Sequence, residues 1–410
     1  MNDTLISVLD LGTAKVAALL AEATDEGGIV VRGAVSVQCR GLARGVPTSL
    51  EETTIAIDAA VRRLRQATGA PVEKVIVSLN GSHLESENKQ GFVPIYPKTR
   101  PIGREDVLHV VNHSRQVVPA PDREQVLALP REFRVDGQRG VTKPIGMCGG
   151  RLEVVTHIVT GQTAHLQNVE KAVSMAGLGV IQTIPAPIAA GYGVADANAM
   201  NGGCVVVDLG AGTTGIAIFN GGAIAGTVVL PIGAGTVTSD IAKLLRTSPE
   251  EAERVKLAFG CATAEGLVED EGVEVHQIGQ PQPRYLPRKV LCEIIESRMR
   301  EIAQLVRAQI DRSGLMGQLA GGVILTGGGS LLPGTVDIFR QELRGAGVRL
   351  AVPCTEGPAS VAANRAEMAT AVGLAAYVLG AEEDELEPAS GIEHLKVKLR
   401  SLKAIFGPRG

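Results

Sequence analysis

The pattern of apolar and polar residues predicts two similar hairpins about half a chain apart. Residues 5–22 form an apolar run, a tight turn and a second apolar run, and residues 204–219 repeat this arrangement. Such runs joined by a short glycine-containing turn are typical of paired strands. Asp10, at the end of the first strand of the first hairpin, then corresponds to Asp208, at the end of the first strand of the second hairpin. The chain is therefore expected to contain two related halves.

Further strands and helices alternate between and after these hairpins. Strands are predicted over 72–79, 152–160 and 322–326, and helices over 163–176, 249–259 and 288–311. Ser248, followed by a proline and two glutamates, is a helix start signal. The strands over 72–79 and 152–160 bracket a region punctuated by proline and glycine, which indicates an inserted subdomain. Alternating strands and helices in two halves favour an α/β fold of two lobes, with the ligand in the cleft between them.

Composition narrows the classes of function. The chain has 410 residues, 40 Lys and Arg against 44 Asp and Glu, and a net charge of -4, so no overall basic surface points to nucleic acid. With six Phe, four Tyr and no Trp, it also lacks the aromatic residues on which single strands stack. The N-terminus lacks a signal-peptide pattern and no window approaches a membrane span. These features predict a cytoplasmic protein of two or three domains that does not bind nucleic acid.

The six cysteines and seven histidines do not form a catalytic or metal-binding pattern. The cysteines lie far apart, without a C-x-x-C pair or a nearby histidine, and are expected to be buried, reduced thiols. No histidine belongs to a zinc-protease motif or lies in a triad-like neighbourhood. His157 falls in a predicted strand and is expected to be a packed core residue.

Each predicted hairpin carries chemistry suited to a phosphate. A carboxylate that ends a strand beside a glycine turn can hold hydrated Mg²⁺, while the amides and hydroxyls of the turn face phosphate oxygens. Asp10 and Asp208 are the candidate metal ligands. The turn glycines, hydroxyls and one ammonium that complete the two hairpins are Gly12, Thr13, Lys15, Gly210, Gly212, Thr213 and Thr214. Taken singly, either hairpin is also consistent with an ordinary surface turn.

A third motif follows the strand over 322–326, where three glycines, Gly327, Gly328 and Gly329, lie at its carboxyl end. Open α/β sheets bind ligands at that edge, and bare backbone there accommodates a flat nucleoside. The order of two hairpins and a strand with three glycines resembles the actin, sugar kinase and DnaK-type chaperone superfamily. This resemblance implies ATP and Mg²⁺ in a cleft between the lobes, with the three glycines beside the adenosine.

The inserted region resembles one branch of that superfamily, the FtsA family of bacterial actin-like division proteins. Within the inserted region, residues 130–138, 144–147 and 151–157 carry the resemblance, and the agreement continues beyond it in residues 236–241, 250–256, 260–261 and 294–298. It implies a bilobed actin-like ATPase fold of the α/β class, with two related domains around a nucleotide cleft and an inserted 1C subdomain of the FtsA type.

The resemblance also implies a division of the chain into subdomains. We expect 1–82 with 161–200 as lobe 1, 83–160 as the 1C subdomain, 201–236 with 301–380 as lobe 2, 237–300 as subdomain 2B, 381–391 as an acidic linker and 392–410 as a membrane-targeting helix.

Two further pairs of residues are implied by position within the family. Glu253 and Lys256 would flank the adenosine, although an ion pair on a solvated helix explains them equally well. Lys289 and Arg298 would pair with acidic groups of the C-terminal peptide of the tubulin-like protein FtsZ, and a solvated helix face is the alternative. The inserted subdomain would bind other division proteins, and the chain would polymerise with itself.

The last residues predict an amphipathic helix from their pattern alone. At 100° per residue, its apolar side chains fall within an arc of about 80°. They are Ile392, Leu395, Leu399, Leu402 and Phe406, with Lys396 and Lys403 beside them. This segment is too short and too basic to span a bilayer, but it suits an anionic lipid surface, to which four basic residues contribute about 4 kcal/mol. A helix packed on the protein's own core is the alternative.

Hydrolysis of ATP is expected to be slow or absent. DnaK-type chaperones have Glu-Pro at the turn joining the lobes, whereas this chain has Ala186 and Pro187. Alanine cannot accept a proton from the attacking water. The function implied is a peripheral scaffold on the inner face of the cell membrane at the division septum, which anchors FtsZ filaments. A PilM-like type IV pilus protein and a small-molecule kinase of the same superfamily remain alternatives.

Overall fold

The computed structural model describes residues 5–24, 28–116, 119–267 and 271–383. Its strands are β1 (Ile6–Leu11), β2 (Lys15–Ala23), β3 (Ile29–Gln38), β4 (Leu42–Ala43), β5 (Val46–Pro47), β6 (Lys74–Leu79), β7 (Glu85–Pro94), β8 (Arg123–Val135), β9 (Gln138–Val141), β10 (Arg151–Gln162), β11 (Gly179–Pro185), β12 (Cys204–Leu209), β13 (Thr214–Asn220), β14 (Ala223–Leu230), β15 (Gly272–Val275), β16 (Arg284–Pro287), β17 (Gly322–Thr326) and β18 (Val348–Leu350).

The helices alternate with these strands along the chain. They are α1 (Leu50–Thr68), α2 (Arg104–Arg115), α3 (Thr163–Met175), α4 (Ala186–Val194), α5 (Ala197–Gly202), α6 (Gly235–Leu245), α7 (Pro249–Phe259), α8 (Arg288–Ser313), α9 (Thr335–Glu342), α10 (Ser360–Ala363) and α11 (Ala369–Glu383). Within the described ranges, none of the helices is long and apolar enough to cross a membrane.

Two five-stranded sheets of the same design form the lobes. The first has the order β11-β6-β1-β2-β3 and the second, read from its other edge, β18-β17-β12-β13-β14. In each, three antiparallel strands continue into two parallel ones. The central strands are apolar on both faces because helices cover both sides of each sheet. The prediction of two related halves is confirmed at the level of topology.

Local end signals determine where several helices begin and end. In α7, the Ser248 hydroxyl accepts a hydrogen bond from the amide of Glu251, Pro249 is the first helical residue and Gly260 follows the last turn. Strand β17 also has the predicted bounds. Helix α8 continues two residues beyond its predicted end, to Ser313, because the αL residue that ends it is Gly314 with φ 67°.

The inserted subdomain is a four-stranded sheet in the order β7-β10-β8-β9, with α2 packed on it. Its own core includes Ile102, Val110, Phe133 and Leu152. The strand predicted over 152–160 is part of β10, which lies between β7 and β8 in this sheet. It is therefore a central strand of the inserted subdomain as well as the end of the inserted region. The subdomain leaves lobe 1 after β6 and returns to it at α3.

A polar contact joins the inserted subdomain to strand β14 of lobe 2. His157 is buried, and its Nδ1 and Nε2 lie 3.0 Å from Asn88 Oδ1 and 3.0 Å from Thr227 Oγ1, respectively. Ser86 Oγ donates to the Thr227 carbonyl oxygen at 2.7 Å. Burial lowers the pKa of His157 to about 4, so the ring is neutral at pH 7. His157 is thus a core residue, as its strand position predicts, with both ring nitrogens engaged.

Helices α4 and α11 cross between the lobes with their backbones in contact. A Cβ on Gly373 would lie 1.7 Å from the Ala189 carbonyl oxygen, and one on Gly193 would lie 2.2 Å from that of Ala369. Helix α11 follows lobe 2 in the chain but packs on the lobe 1 sheet, where Leu374 belongs to the same core as Val8 and Leu19. Helix α11 is therefore packed on the lobe that does not contain the elements next to it in the chain.

The cysteine expectation is wrong in part. Cys39, Cys204 and Cys292 are buried, but Cys148 and Cys354 are exposed, because both lie in loops outside the sheets. The predicted linker over 381–391 and the helix over 392–410 lie outside the described residues, except for the last turn of α11.

Candidate functional site

The two predicted hairpins meet across the cleft. Gly212, in the turn between β12 and β13, faces Thr13 in the turn between β1 and β2. A Cβ on Gly212 would lie 2.5 Å from Thr13 Oγ1 and 3.0 Å from the Arg44 amide nitrogen. Thr13 Oγ1 also accepts a hydrogen bond from the Gly45 amide at 3.1 Å. Only a glycine permits this approach, so the turns of both lobes line one site.

The carboxylates of Asp10 and Asp208 end their strands at this site, and each is held by a hydroxyl. Ser78 Oγ donates to Asp10 Oδ1 at 2.8 Å and accepts from the Leu11 amide at 2.9 Å. Thr370 Oγ1 donates to Asp208 Oδ2 at 3.1 Å. These hydrogen bonds therefore fix the orientation of both carboxylates.

Burial disfavours the ionised form of both carboxylates. It raises the pKa of Asp10, although the Ser78 hydroxyl and the Lys15 ammonium oppose this effect. Burial, with repulsion from Asp10 as the next cause, raises the pKa of Asp208 to about 6. Two neighbouring carboxylates with raised pKa values leave negative charge that a bound cation would neutralise.

Lys15 brings a buried ammonium to the same place. Its Nζ has no hydrogen-bond partner among the described residues. Burial lowers the pKa of Lys15, while Asp10, Glu367 and Asp208 act in the opposite direction. Glu367 Oε2 is likewise buried without a hydrogen bond in the described structure, although the other oxygen of this carboxylate, Oε1, pairs with Arg365. Because a buried charge without a hydrogen bond is costly, these atoms indicate that an anionic group with its counter-ion belongs here.

The second hairpin is held by the loop that follows β14. The Gly210 carbonyl oxygen accepts from the Ala234 amide at 2.9 Å, and the Gly210 amide donates to the Thr213 carbonyl oxygen at 3.0 Å. Thr214 Oγ1 donates to the Ile232 carbonyl oxygen at 2.7 Å. Thr213 and Thr214 are both buried. The Thr214 hydroxyl therefore braces the loop, whereas the sequence suggests that it faces phosphate.

The three glycines lie against the second carboxylate. Gly327 has φ 81° and ψ 161°, and a Cβ on it would lie 2.2 Å from Asp208 Oδ1. Gly329 approaches the Leu209 carbonyl oxygen in the same way, at 2.9 Å. A Cβ on Gly328 would meet, among the described residues, only the Glu367 Cβ, at 3.8 Å, so this side of the turn is open there.

Glu253 and Lys256 form the ion pair expected from their spacing, at 2.7 Å between Oε2 and Nζ. Lys256 Nζ also donates to Thr238 Oγ1 at 2.9 Å, and the Thr238 hydroxyl bonds Glu253. Lys256 is buried, whereas the Glu253 side chain is 44% exposed. The pair is therefore solvated at one end only and has a third partner on α6.

The donors of the cleft fit a nucleotide with a divalent cation. Carboxylate oxygens are hard ligands of the kind Mg²⁺ prefers, and Asp10 and Asp208 supply them. Lys15 supplies a cation for phosphate oxygens, and the glycine turns leave room for backbone amides to approach. This fit depends on one observation, that the buried Lys15 Nζ has no hydrogen-bond partner within residues 5–24, 28–116, 119–267 and 271–383.

The residues expected to contact a partner protein both lie on α8. Arg298 donates to both carboxylate oxygens of Asp240, at 2.6 and 3.1 Å, and also pairs with Glu301. Lys289 lines an open groove of about 630 Å³. The other residues of the groove are Ala264, Glu265, Gly266, Leu267, Glu293, Glu296, Ser297 and Arg300. Arg298 is thus already paired within the chain and does not line the groove.

Sequence reasoning missed three residues of the cleft: Ser78, Glu367 and Thr370. Ser78 has a signal, because it lies near the carboxyl end of the strand predicted over 72–79, which pairs with β1 in the structure. Glu367 and Thr370 carry no recognisable motif, since Glu367 lies in a short 3-10 helix just before α11 and Thr370 in the first turn of α11, an apolar helix far along the chain.

The predicted membrane residues Ile392, Leu395, Lys396, Leu399, Leu402, Lys403 and Phe406 all lie outside the described residues.

Two family models match the chain. Residues 205–373 match the model described as cell division protein FtsA, and residues 81–160 match that of the SHS2 domain inserted in FtsA. The second range corresponds to the subdomain built on β7–β10.

Curated relatives match almost the whole chain. The cell division protein FtsA of Pseudomonas aeruginosa is 36% identical over 380 residues, covering 93% of this chain and 90% of the relative. That of Escherichia coli strain K12 is 34% identical over 381 residues, covering 91% and 90%. That of Bacillus subtilis is 34% identical over 353 residues, covering 86% and 79%.

Solved structures share the fold at low identity. The PilM-PilN type IV pilus biogenesis complex gives a TM-score of 0.64 at 18% identity, covering 91% of this chain and 98% of that one. MreB5 of Spiroplasma citri bound to ADP gives 0.51 at 14% identity, covering 98% and 99%. With the matching insertion model, these structures confirm the predicted bilobed actin-like fold with an inserted subdomain.

Proposed function

The chain belongs to the FtsA family of cell division proteins, and we propose that it is an ATP-binding scaffold that anchors FtsZ filaments to the inner face of the cell membrane. The proposal has three parts: nucleotide binding in the cleft, attachment through the C-terminus, and docking of FtsZ on the outer part of lobe 2.

Nucleotide binding rests on the buried Lys15 Nζ beside two carboxylates, which has no hydrogen-bond partner in the part of the chain that the structure describes. In the proposed complex, Lys15 and the turns at Gly12, Thr13, Gly210, Gly212 and Thr213 surround the phosphates of ATP, and Thr214 braces the second turn from behind through its bond to Ile232. Asp10 and Asp208 hold hydrated Mg²⁺, and Gly327, Gly328 and Gly329 lie beside the adenosine, with Glu253 and Lys256 at its edge. Mg²⁺ supplies positive charge that neutralises the phosphates. Fluorescent-nucleotide binding to the purified chain tests this part, and absence of any Mg²⁺-dependent binding refutes it.

Turnover of the bound ATP is proposed to be slow. Ala186 begins α4 and is buried, and its methyl group cannot accept a proton. The nucleotide would then favour a closed cleft and set the state of assembly with other copies of the chain. Phosphate release by purified protein should stay far below one per second, and a rate of several per second would contradict this assignment.

Attachment to the membrane is assigned to residues 392–410, because their sequence combines an apolar stripe with basic residues. A few kcal/mol of attraction to anionic lipid gives weak, reversible binding for one molecule. Assembly of many copies strengthens it by avidity, which suits a filament at the septum. The acidic residues of 381–391 would keep the tether itself off the lipid.

Docking of FtsZ is assigned to α8 and the groove that Lys289 lines. Because Arg298 is paired with Asp240 and Glu301, an acidic peptide has to compete with these carboxylates or add to the network. Arg298→Glu should weaken binding of the C-terminal FtsZ peptide about tenfold. Arg312→Glu, a similar reversal in the last turn of the same helix, serves as control. Unchanged affinity in Arg298→Glu would remove Arg298 from the site.

The decisive experiment for the scaffold is co-sedimentation of FtsZ with anionic liposomes. The full chain should carry FtsZ into the pellet, and a chain ending at residue 391 should bind FtsZ in solution but leave it in the supernatant. A PilM-like protein or a small-molecule kinase would not recruit FtsZ in either form. The family relatives favour the division scaffold over both alternatives.

The proposed subdomains follow the family: 1–82 with 161–200, the inserted 83–160, 201–236 with 301–380, and 237–300. Helix α11 is the exception within 301–380, because it packs on the lobe 1 sheet. Other division proteins would bind the inserted subdomain. Cross-linking in the presence of ATP tests this assignment and identifies the contacts between copies of the chain in the polymer.

A further inference from the structure

The two lobes hold their carboxylates in different ways, although their sheets share one design. In lobe 1, continuing the register of β1 with β6 by one residue puts Asp10 opposite Ser78, whose hydroxyl bonds it. In lobe 2, β12 and β17 place Asp208 opposite Thr326. Thr326 is therefore the positional counterpart of Ser78.

Thr326 does not bond Asp208. Its hydroxyl donates to the Ala366 carbonyl oxygen at 3.3 Å, and the same oxygen accepts from the Gly327 amide at 3.1 Å. Asp208 takes its hydroxyl from Thr370, which is 162 residues away in the chain and 5% exposed. The donor to the second carboxylate thus comes from outside its own sheet.

Thr370 is the second residue of α11, and α11 is seated on lobe 1. Ala371, Leu374 and Val378 of this helix belong to the core that contains Val8 and Leu19 of the lobe 1 sheet. The bond from Thr370 to Asp208 therefore runs from a helix packed on one lobe to a strand of the other. Separation of the lobes would stretch this bond, whereas the bond from Ser78 to Asp10 lies within lobe 1.

We propose that Thr370 is a positioning residue for the metal site, which aligns the Asp208 carboxylate only when the lobes are together. Thr370 acts on Asp208 Oδ2, and Gly327 packs against Oδ1, so both oxygens have fixed neighbours. This inference rests on the proposed binding of ATP with Mg²⁺, since it assigns a role within that site.

The test compares three variants of the full chain by the Mg²⁺ dependence of ATP affinity. Thr370→Val removes the hydroxyl and keeps the shape, Thr370→Ser keeps the hydroxyl, and Thr326→Val removes the counterpart hydroxyl that bonds a backbone oxygen. For each, the dissociation constant for ATP is measured in Mg²⁺ and in EDTA, and their ratio gives the contribution of the metal.

Thr370→Val should reduce this ratio about tenfold, in the range found when outer partners of metal ligands are removed. Its ATP affinity in EDTA should match that of the unmodified chain. Thr370→Ser should restore the ratio to within about threefold, and Thr326→Val should leave it unchanged. A purely structural role would instead lower the melting temperature and weaken ATP binding equally with and without Mg²⁺.

An unchanged ratio in Thr370→Val, or an equal loss with and without Mg²⁺, would overturn the inference. If that variant does not fold, Thr370→Ala is measured in its place under the same criteria. If the unmodified chain itself shows no Mg²⁺-dependent ATP binding, the proposed function fails. If the unmodified chain shows it and Thr370→Val leaves the ratio unchanged, only the role of Thr370 fails.

Discussion

Replacing Gly327 with alanine should damage both the fold and the cleft, for reasons that can be worked from its geometry. Gly327 has φ 81° and ψ 161°, a region that residues with a Cβ almost never adopt. Strain of this kind costs about 1–3 kcal/mol. The new Cβ would also lie 2.2 Å from Asp208 Oδ1 and 2.7 Å from the Leu209 carbonyl oxygen, so the strand end has to move. Such overpacking costs another 1–3 kcal/mol, roughly.

The two costs together amount to about 4 kcal/mol. With an unfolding entropy of about 2.1 cal/mol/K per residue, this lowers the melting temperature of the ligand-free chain by about 5 °C. Displacement of Asp208 should also weaken Mg²⁺-dependent ATP binding at least tenfold, roughly the effect of disturbing a metal ligand. Differential scanning fluorimetry with and without Mg²⁺ and ATP measures both quantities.

Gly328→Ala is the matched control, one residue along the same turn. Its Cβ would meet only the Glu367 Cβ at 3.8 Å, an ordinary contact. The ligand-free melting temperature should change by less than about 1 °C, as for a substitution without strain. ATP should stabilise this variant less, because the methyl group enters the face assigned to the adenosine. A Gly327→Ala chain that keeps both its melting temperature and its ATP affinity would refute the geometry.

Three further predictions concern charge and polar contacts. Lys15→Met should leave ligand-free stability unchanged or higher, because it removes a buried ammonium that has no hydrogen bond among the described residues. The same change should weaken ATP binding, measured by calorimetry, by about tenfold or more. Equal loss of stability and of ATP affinity would contradict this prediction. The pKa of Asp208 is raised to about 6, so the folded chain holds a proton that the unfolded chain releases at lower pH. As pH rises from 4 to 6, ligand-free stability should therefore fall relative to Asp208→Asn. Mg²⁺-dependent ATP affinity should rise over the same pH range, because the carboxylate becomes ionised. A pH profile identical in both chains would exclude this titration. Thr227→Val should lower the free energy of unfolding by about 1–3 kcal/mol in thermal melts, since it leaves buried His157 Nε2 without a partner, and no change would show that the contact is dispensable.

Local signals made part of this molecule predictable from its sequence. The hairpins around Asp10 and Asp208 combine an apolar run, a carboxylate and a turn within about twenty residues, and α7 has a start and an end signal of its own. The glycines after β17 mark a strand end. Each of these features depends on neighbours in the chain, so a single sequence contains them.

Long-range packing explains what could not be predicted. Helix α11 is apolar around most of its circumference because it lies between α4 and the lobe 1 sheet, so its pattern names no partner face. The Thr370 hydroxyl and the pairing of Arg298 with Asp240 join residues far apart in sequence. The exposure of Cys148 depends on a loop whose path has no sequence signal.

If Lys15, Asp10 and Asp208 bind one ligand, a crystal structure with Mg²⁺ and a non-hydrolysable ATP analogue should show all three in contact with it. We expect a metal ion beside Asp10 and Asp208, phosphate oxygens within hydrogen-bond distance of Lys15 Nζ, and the nucleoside against Gly328. A cleft that stays empty at saturating nucleotide, with Lys15 still unpartnered, would contradict this expectation.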